Sequence, residues 1–199
     1  MSTPYCFTCG VVKPQRACHC KTCGRCVLRR DHHCPVLGEC IHFHNHKYFV
    51  LFLFWAEMLC IFTLLTVLPD VIRQLNFNGK PFFPIEKSIS MSFVISGVAT
   101  ALICGVSLGI FLSEQVRALL RNQTTMERVK RVSYGSKGPY GDGLMTYDLG
   151  SKRRNFESIF GPNPWLWPFP VHSAVGDGYS FEYSLEVPVV KTSECCCCA

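Results

Sequence analysis

Two uninterrupted apolar blocks constrain the fold of this chain more than any other feature of its sequence. The first runs from Tyr48 to Leu68 with Glu57 as its only charge, and the second runs from Met91 to Leu112 with none. A helix needs about 20 mainly apolar residues to cross a bilayer, and both blocks reach that length. Two buried core helices are the alternative, but a chain of 199 residues has too little other material to cover them. The blocks therefore predict two transmembrane helices.

Basic residues are distributed unequally around these blocks. Seven Lys or Arg precede Tyr48, three lie between the blocks in residues 69–90, and ten follow Leu112. Because basic residues favour the cytosolic side, we expect both termini to be cytosolic and residues 69–90 to form a lumenal loop. The same bias accounts for the formal net charge of +6 without a nucleic-acid partner.

Each block contains one further informative feature. In the second, small residues recur every fourth position, a pattern that lets another helix approach closely. They are Gly97, Ala101, Gly105 and Gly109. In the first, Glu57 is costly unless it is paired or protonated, so we interpret it as either a functional residue or one that forms a helix–helix hydrogen bond.

Cysteine and histidine are concentrated near the amino terminus. Eight of the fourteen cysteines lie in the first 40 residues, and six of the seven histidines lie between His19 and His46. No basic and apolar leader precedes Cys6, which disfavours a secreted disulfide scaffold. Linked CxxC pairs with interspersed histidines are typical of zinc sites. Six cysteines and two histidines complete two Cys3His sites and leave Cys18 and Cys34 over.

Cys34 has the surroundings of a reactive thiol. It follows an aspartate and two histidines, and a nearby base or positive charge raises the fraction of thiolate. A ninth, alternative zinc ligand is the other interpretation of this residue.

Around Cys34 the sequence resembles the cysteine-rich domain of the DHHC protein S-acyltransferases. The tetrad Asp31-His32-His33-Cys34 carries the resemblance, which extends from Cys6 to Phe49. It includes Lys13-Pro14, His19-Cys20, Pro35, Cys40 and Asn45. Downstream, the residues from Thr124 to Glu127 resemble the TTxE motif of the family. Asn155 with Ile159-Phe160-Gly161 resembles its C-terminal Asn-x3-Val-Phe-Gly element.

The resemblance implies an α-helical membrane protein with a small two-zinc cysteine-rich domain of short β-hairpins. By the family pattern, one structural zinc is bound by Cys6, Cys9, His19 and Cys26. The other is bound by Cys20, Cys23, His33 and Cys40. The resemblance also implies that Cys34 is the nucleophile, that His32 is its base and that Asp31 orients His32. Supporting roles fall to Thr125, near Asp31, and to Asn155.

The expected organisation has five parts. Residues 1–47 form the cytosolic zinc-binding domain, 48–68 and 91–112 the transmembrane helices, 69–90 the lumenal loop, and 113–199 a cytosolic C-terminal segment. Residues 133–199 show no clear helical period.

The implied activity is protein S-palmitoylation in an endomembrane such as the endoplasmic reticulum or Golgi. A long-chain acyl group, with palmitoyl-CoA as donor, passes through an acyl-Cys34 intermediate to cysteines of protein substrates near the membrane. The family usually has four spans, so we expect either a fragment or truncated form, or a chain that works with a reduced membrane cavity. A catalytically inert, membrane-anchored zinc adaptor is the alternative.

Three smaller features have two or more interpretations. A basic group is expected either to attract CoA phosphates at the surface or to reflect the positive-inside bias. It comprises Arg25, Arg29, Arg30, Arg117 and Arg121. Alternating histidines either form a third metal site or are packed or solvated: they are His42, His44 and His46. The terminal Cys195–Cys198 run is a weak prenylation signal, a set of acylation acceptors or an incidental tract.

Overall fold

The computed structural model describes residues 5–76, 85–134 and 144–186, which belong to two compact units. Unit 1 combines the described residues of Met1–His46, Ala118–Trp167 and Val171–Ala199. Unit 2 combines those of Lys47–Arg117 with Pro168–Pro170. The Cys/His-rich segment and both downstream motifs therefore lie in unit 1.

Three short antiparallel hairpins follow one another at the start of unit 1. Strand β1 (Tyr5–Cys6) pairs with β2 (Val11–Val12), β3 (Cys18–Cys20) with β4 (Arg25–Val27), and β5 (His32–Cys34) with β6 (Glu39–Ile41). The turns of the last two contain Gly24 and Gly38 at φ 65° and 68°, in the left-handed region that glycine adopts at little cost. Strands of two or three residues bury too little apolar surface to be stable alone, so these hairpins need another source of stability.

Two long helices contain the apolar blocks. Helix α1 spans His46–Asn76 and α2 spans Ile85–Leu120. Their membrane-compatible parts are His46–Pro69 and Ser92–Leu120, and in the most apolar windows only 17% and 11% of residues are buried. Exposed apolar side chains such as Leu59, Leu65 and Ile103 fit lipid better than a soluble core. Both helices continue past the apolar blocks, because hydropathy marks the lipid-facing stretch and not the last helical hydrogen bond.

Inside unit 2, two of the predicted small residues lie at the helix contact. A Cβ added at Gly105 would lie 3.4 Å from Cys60 Cβ, and one at Gly109 would lie 3.4 Å from Glu57 Oε1. A Cβ at Gly97 would meet nothing within 4 Å. Glu57 Oε2 is buried and has no hydrogen-bond partner among the described residues. The structure thus gives that oxygen no part in a helix–helix hydrogen bond.

The rest of unit 1 contains two helices and a fourth hairpin. Helix α3 spans Thr125–Tyr134, β7 (Leu144–Thr146) pairs with β8 (Ser184–Glu186), and α4 spans Lys152–Phe160. Helix α4 lies within residues 133–199, where the sequence shows no clear helical period. This helix has only nine residues, too few for a clear apolar period, and tertiary packing supports it. Phe156 stacks on Phe160 at 4.2 Å and meets Trp167 edge-on at 4.9 Å between ring centroids.

Candidate active site and metal centres

Strand β5 divides the tetrad between two faces. Successive side chains of a strand point to opposite sides, so His32 and Cys34 share one face and His33 occupies the other. His33 lies directly across the hairpin from Cys40 on β6. The local fold therefore separates the predicted ligand from the predicted base and nucleophile.

Two Cys/His clusters form from the hairpins. The ligand atoms of each lie within 4.8 Å of one another. One cluster comprises Cys6, Cys9, His19 and Cys26, and the other comprises Cys20, Cys23, His33 and Cys40. In the first, Cys9 Sγ lies 3.2 Å from His19 Nδ1; in the second, Cys23 Sγ lies 3.3 Å from His33 Nδ1 and 3.6 Å from Cys40 Sγ. Tetrahedral zinc separates its N and S ligands by roughly 3.3–3.8 Å, so both clusters fit a zinc ion.

Strand alternation also explains why the two clusters interleave along the chain. His19 faces Cys26 across the second hairpin, and both belong to the first cluster. The next residue, Cys20, points to the opposite face and joins the second cluster. Cys18, on the same strand, belongs to neither group and is half-buried.

Asp31 is fully buried and holds His32 through a short contact. Its Oδ2 lies 2.7 Å from His32 Nδ1. Thr125 donates twice to the same carboxylate: its backbone N–H to Oδ1 at 2.7 Å and its hydroxyl to Oδ2 at 3.1 Å. Burial raises the pKa of Asp31, but the hydrogen bond from His32, the nearby charge of His46 and the hydrogen bond from the Thr125 N–H outweigh it and hold that pKa well below its usual range. Asp31 is therefore ionised at neutral pH, and its Oδ2 lies where a carboxylate can orient the imidazole.

The TTxE segment is a helix cap as well as a partner of Asp31. Thr124 Oγ1 accepts from the Glu127 N–H at 3.2 Å, while Glu127 Oε2 accepts from the Thr124 N–H at 2.8 Å. This reciprocal pair is a capping box, which satisfies two free N–H groups at the start of α3. The cap fixes where α3 begins and so places Thr125 against Asp31.

A buried arginine network lies behind the carboxylate. Arg16 donates to both oxygens of Glu127 at 2.7 and 2.9 Å and to Asn122 Oδ1 at 3.0 Å. Arg29 donates to the same Asn122 oxygen at 3.1 Å, and its Nη1 lies 2.9 Å from His46 Nδ1. Burial and the nearby charge of Arg16 lower the pKa of Arg29 to about 9, so it stays charged at neutral pH.

The predicted CoA-attracting surface is wrong for Arg29, which is only 1% exposed. Arg29 has two partners inside unit 1 and is therefore not part of a surface that could attract CoA phosphates. Counting charges along the sequence does not reveal this burial. Arg117 and Arg121 are exposed, and Arg117 pairs with Glu114.

Asn155 connects three parts of unit 1. Its amide donates to the Leu120 carbonyl at 2.9 Å and to Asp148 Oδ1 at 2.8 Å, and its oxygen accepts from the Leu149 N–H at 2.8 Å. The side chain is 1% exposed, so all its hydrogen bonds are internal. The structure thus places Asn155 at the junction of α4 with the end of α2.

The three alternating histidines do not converge on one site. His46 is fully buried beside Arg29, whereas His44 is exposed. Among the described residues, the two clusters above are the only groups of three or more potential metal ligands. The run Cys195–Cys198 lies outside the described residues.

Sequence reasoning missed the network residues Arg16 and Asn122, and it named Glu127 only as part of the TTxE resemblance, without its partners. The four-residue Thr-x-x-Glu spacing was an available signal for the cap and hence for Glu127. Nothing local marks Arg16, because its partners lie more than 100 residues later in the chain.

Comparison with known proteins identifies the family. The sequence model of the DHHC palmitoyltransferase family matches residues 1–132. The chain is 34% identical to palmitoyltransferase ZDHHC15A of Danio rerio over 197 residues, which cover 96% of this chain and 57% of that protein. It is 34% identical to human palmitoyltransferase ZDHHC20 over 177 residues, covering 89% and 46%. It is 32% identical to palmitoyltransferase PFA3 of Yarrowia lipolytica over 201 residues, covering 92% and 50%.

The chain thus spans about half the length of the curated relatives that it matches. The predicted fold class, an α-helical membrane protein with a two-zinc domain of short hairpins, is confirmed by the two clusters, the hairpins and the family match. This chain belongs to the DHHC palmitoyltransferase family.

Proposed function

We propose that this chain is a protein S-palmitoyltransferase in which Cys34 is the nucleophile, His32 the base and Asp31 the residue that orients His32. The observation that carries the proposal is the 2.7 Å contact between Asp31 and His32, with His32 and Cys34 on one face of β5. A nucleophile beside a base, with a third group behind the base, is the arrangement that activates a thiol. The palmitoyltransferase names of the relatives support the same activity.

The first half-reaction loads Cys34. His32 takes the thiol proton, and the Cys34 thiolate attacks the carbonyl carbon of a long-chain acyl-CoA. A new C–S bond forms, the bond to the CoA sulfur breaks, and the departing CoA thiolate receives the proton from His32. Asp31 stabilises the imidazolium that exists between these two proton transfers.

The second half-reaction repeats the chemistry with a protein thiol. A substrate cysteine gives its proton to His32 and attacks the acyl carbon on Cys34. The bond to Cys34 breaks, and the Cys34 thiolate recovers the proton from His32. Acyl-CoA and cysteine-bearing proteins near the membrane are therefore the proposed partners.

Zinc at the two Cys3His clusters would hold the hairpins together. Four protein ligands close each site, so bound zinc would supply structure and not an activated water. The residues that would hold the two ions are those of the clusters described above.

For topology, we propose that residues 1–47 and 113–199 are cytosolic, that 48–68 and 91–112 cross an endomembrane, and that 69–90 are lumenal. The unequal distribution of Lys and Arg supports this orientation. Acyl transfer at Cys34 would then take place close to the membrane, where an acyl chain is available.

The decisive experiment is acyl-enzyme formation by the purified full chain in detergent with palmitoyl-CoA carrying a radioactive acyl group. We expect a hydroxylamine-labile label on the chain and none in Cys34→Ser. Zinc content of both forms is the matched control, and we expect two ions per chain in each. A label that persists in Cys34→Ser would refute the nucleophile assignment, and loss of one zinc would make Cys34 a ligand. A folded two-zinc chain that never acquires label would favour the zinc adaptor.

A further inference from the structure

Two exposed histidines from distant parts of the chain meet in unit 1. His44 Nδ1 lies 3.4 Å from His172 Nε2, and 128 positions of sequence separate the two residues. His44 follows β6, whereas His172 lies in the tail beyond α4. Neither belongs to the two zinc clusters or to the Asp31–His32 pair.

The spacing of the two nitrogens suits a metal ion. Zinc–nitrogen bonds of about 2.0–2.1 Å at a tetrahedral angle place two imidazole nitrogens roughly 3.4 Å apart. Imidazole is also a preferred ligand of Zn²⁺, Cu²⁺ and Ni²⁺. Because both rings are exposed, an ion has direct access from solvent.

The backbone beneath both rings is anchored, so the pair is largely preorganised. Phe43, next to His44, is buried, and its ring lies 6.3 Å from that of His172. Ser173, next to His172, donates through its hydroxyl to the Phe160 carbonyl at 2.7 Å. A site whose ligands are already in place loses less conformational entropy when it binds an ion.

His42, whose imidazole lies next to that of His44, forms a different interaction. His42 Nδ1 accepts from the His44 backbone N–H at 3.2 Å, and the two ring centroids lie 5.7 Å apart in an edge-on arrangement. That hydrogen bond uses the His42 Nδ1 lone pair, and the other ring nitrogen of a neutral imidazole carries the proton. His42 therefore supports the loop, and His44 and His172 are the ligand pair.

We propose that His44 and His172 form a third metal site, for a divalent transition-metal ion that prefers imidazole, with water completing its coordination. The ion would join the segment after β6 to the C-terminal tail. This site is independent of acyl transfer and of the two cysteine-containing clusters.

The test is a Zn²⁺ titration of the full chain in detergent, already loaded with two zincs, followed by calorimetry. The terminal thiols would also bind zinc, so the background carries Cys195→Ser, Cys196→Ser, Cys197→Ser and Cys198→Ser. We expect a third equivalent to bind in this background. It should disappear in His44→Asn and in His172→Asn while the two original zincs remain. Hydrogen exchange should slow at residues 171–175 on addition of Zn²⁺ only where both histidines are present.

His42→Asn is the matched control, and we expect it to bind the third equivalent. The proposal is overturned if no third equivalent binds, which would make the pair a simple hydrogen bond. It is also overturned if the third equivalent survives in His172→Asn, or if His42→Asn abolishes it as fully as His44→Asn does.

Discussion

At the scale of single residues, Thr125 links the TTxE segment to the proposed base. Its N–H and hydroxyl each donate to a different oxygen of Asp31, while the preceding Thr124 caps α3. The carboxylate is thus held from one side by a helix start and from the other by His32. A helix boundary thereby becomes part of the proposed active site.

Thr125→Val should slow acylation of Cys34 by about tenfold or more. The isosteric change removes the hydroxyl bond to Asp31 Oδ2 but keeps the backbone bond to Oδ1. A hydrogen bond to a charged group contributes about 1.5–3 kcal/mol, and its loss lets Asp31 and His32 reorient. The rate of acyl-enzyme formation from palmitoyl-CoA measures the effect, and Thr125→Ser should stay close to wild type. Equal rates in wild type and Thr125→Val would contradict the positioning role.

Glu127→Gln should destabilise unit 1 by about 2–3 kcal/mol, because it leaves the buried Arg16 guanidinium without its counter-charge. The Arg16 side chain is fully buried and that of Glu127 is 23% exposed, so the effect is smaller than for a fully buried pair. Glutamine still completes a capping box, which isolates the contribution of charge. Denaturant unfolding of the full chain in micelles provides the measurement.

Glu157→Gln is the control for that change. Glu157 pairs with Arg153 on the surface of α4, where the Arg153 side chain is 72% exposed. An exposed pair contributes about 0–1 kcal/mol. If both glutamine variants lose the same free energy of unfolding, the Arg16–Glu127 pair is not the structural anchor described here.

At the scale of secondary-structure elements, features that depend on neighbouring residues in the sequence could be predicted, and features that depend on tertiary contacts could not. The apolar blocks predicted the two helices of unit 2, and the CxxC spacings indicated the hairpin clusters, because both patterns are local. The ends of α1 and α2 and the existence of α4 were not predicted. Helical hydrogen bonding continues beyond an apolar block, and α4 depends on packing between Phe156, Phe160 and Trp167.

Gly109→Val should weaken the packing of α1 against α2 in unit 2. A Cβ at this position would already lie 3.4 Å from Glu57 Oε1, and the two further methyl groups force the helices apart or displace the carboxylate. Overpacking of this kind costs about 1–3 kcal/mol. The thermal unfolding midpoint in detergent should fall. Gly97→Val, where a Cβ meets nothing within 4 Å, should leave it nearly unchanged. A larger loss in Gly97→Val than in Gly109→Val would contradict the assigned contact.

At the scale of the whole molecule, the amino-terminal hairpins and the tail form one unit although the apolar helices separate them in sequence. Arg16 reaches Glu127, Asn155 reaches Leu120, and Gln15 accepts from the Phe181 N–H at 2.8 Å. No periodicity or spacing encodes such contacts between distant segments. The family resemblance predicted which motifs matter, and the structure shows how Arg16, Arg29 and Asn122 join them.

Removal of zinc should unfold the hairpins and spare the helices of unit 2. With a chelator strong enough to strip both clusters, we expect amide hydrogen exchange to lose protection in residues 5–41, because two- and three-residue strands cannot hold together alone. Protection in the apolar parts of α1 and α2 should persist. Cys26→Ser should bind one zinc fewer, whereas Cys18→Ser should keep both. Hairpins that stay protected in metal-free protein would show that zinc is not their source of stability.

Strand β5 gives the order of the tetrad a geometrical meaning. Its three residues alternate between the face of the proposed base and nucleophile and the face of the Cys/His cluster, and the pairing of His33 with Cys40 fixes the register. Exchanging the last two residues of the tetrad would preserve the composition of the chain and every count of ligands. It would nevertheless turn the thiol toward the metal cluster and place an imidazole where the proposed nucleophile now stands. The face that each tetrad residue occupies therefore depends on whether its position along β5 is odd or even, and not only on which residues are present.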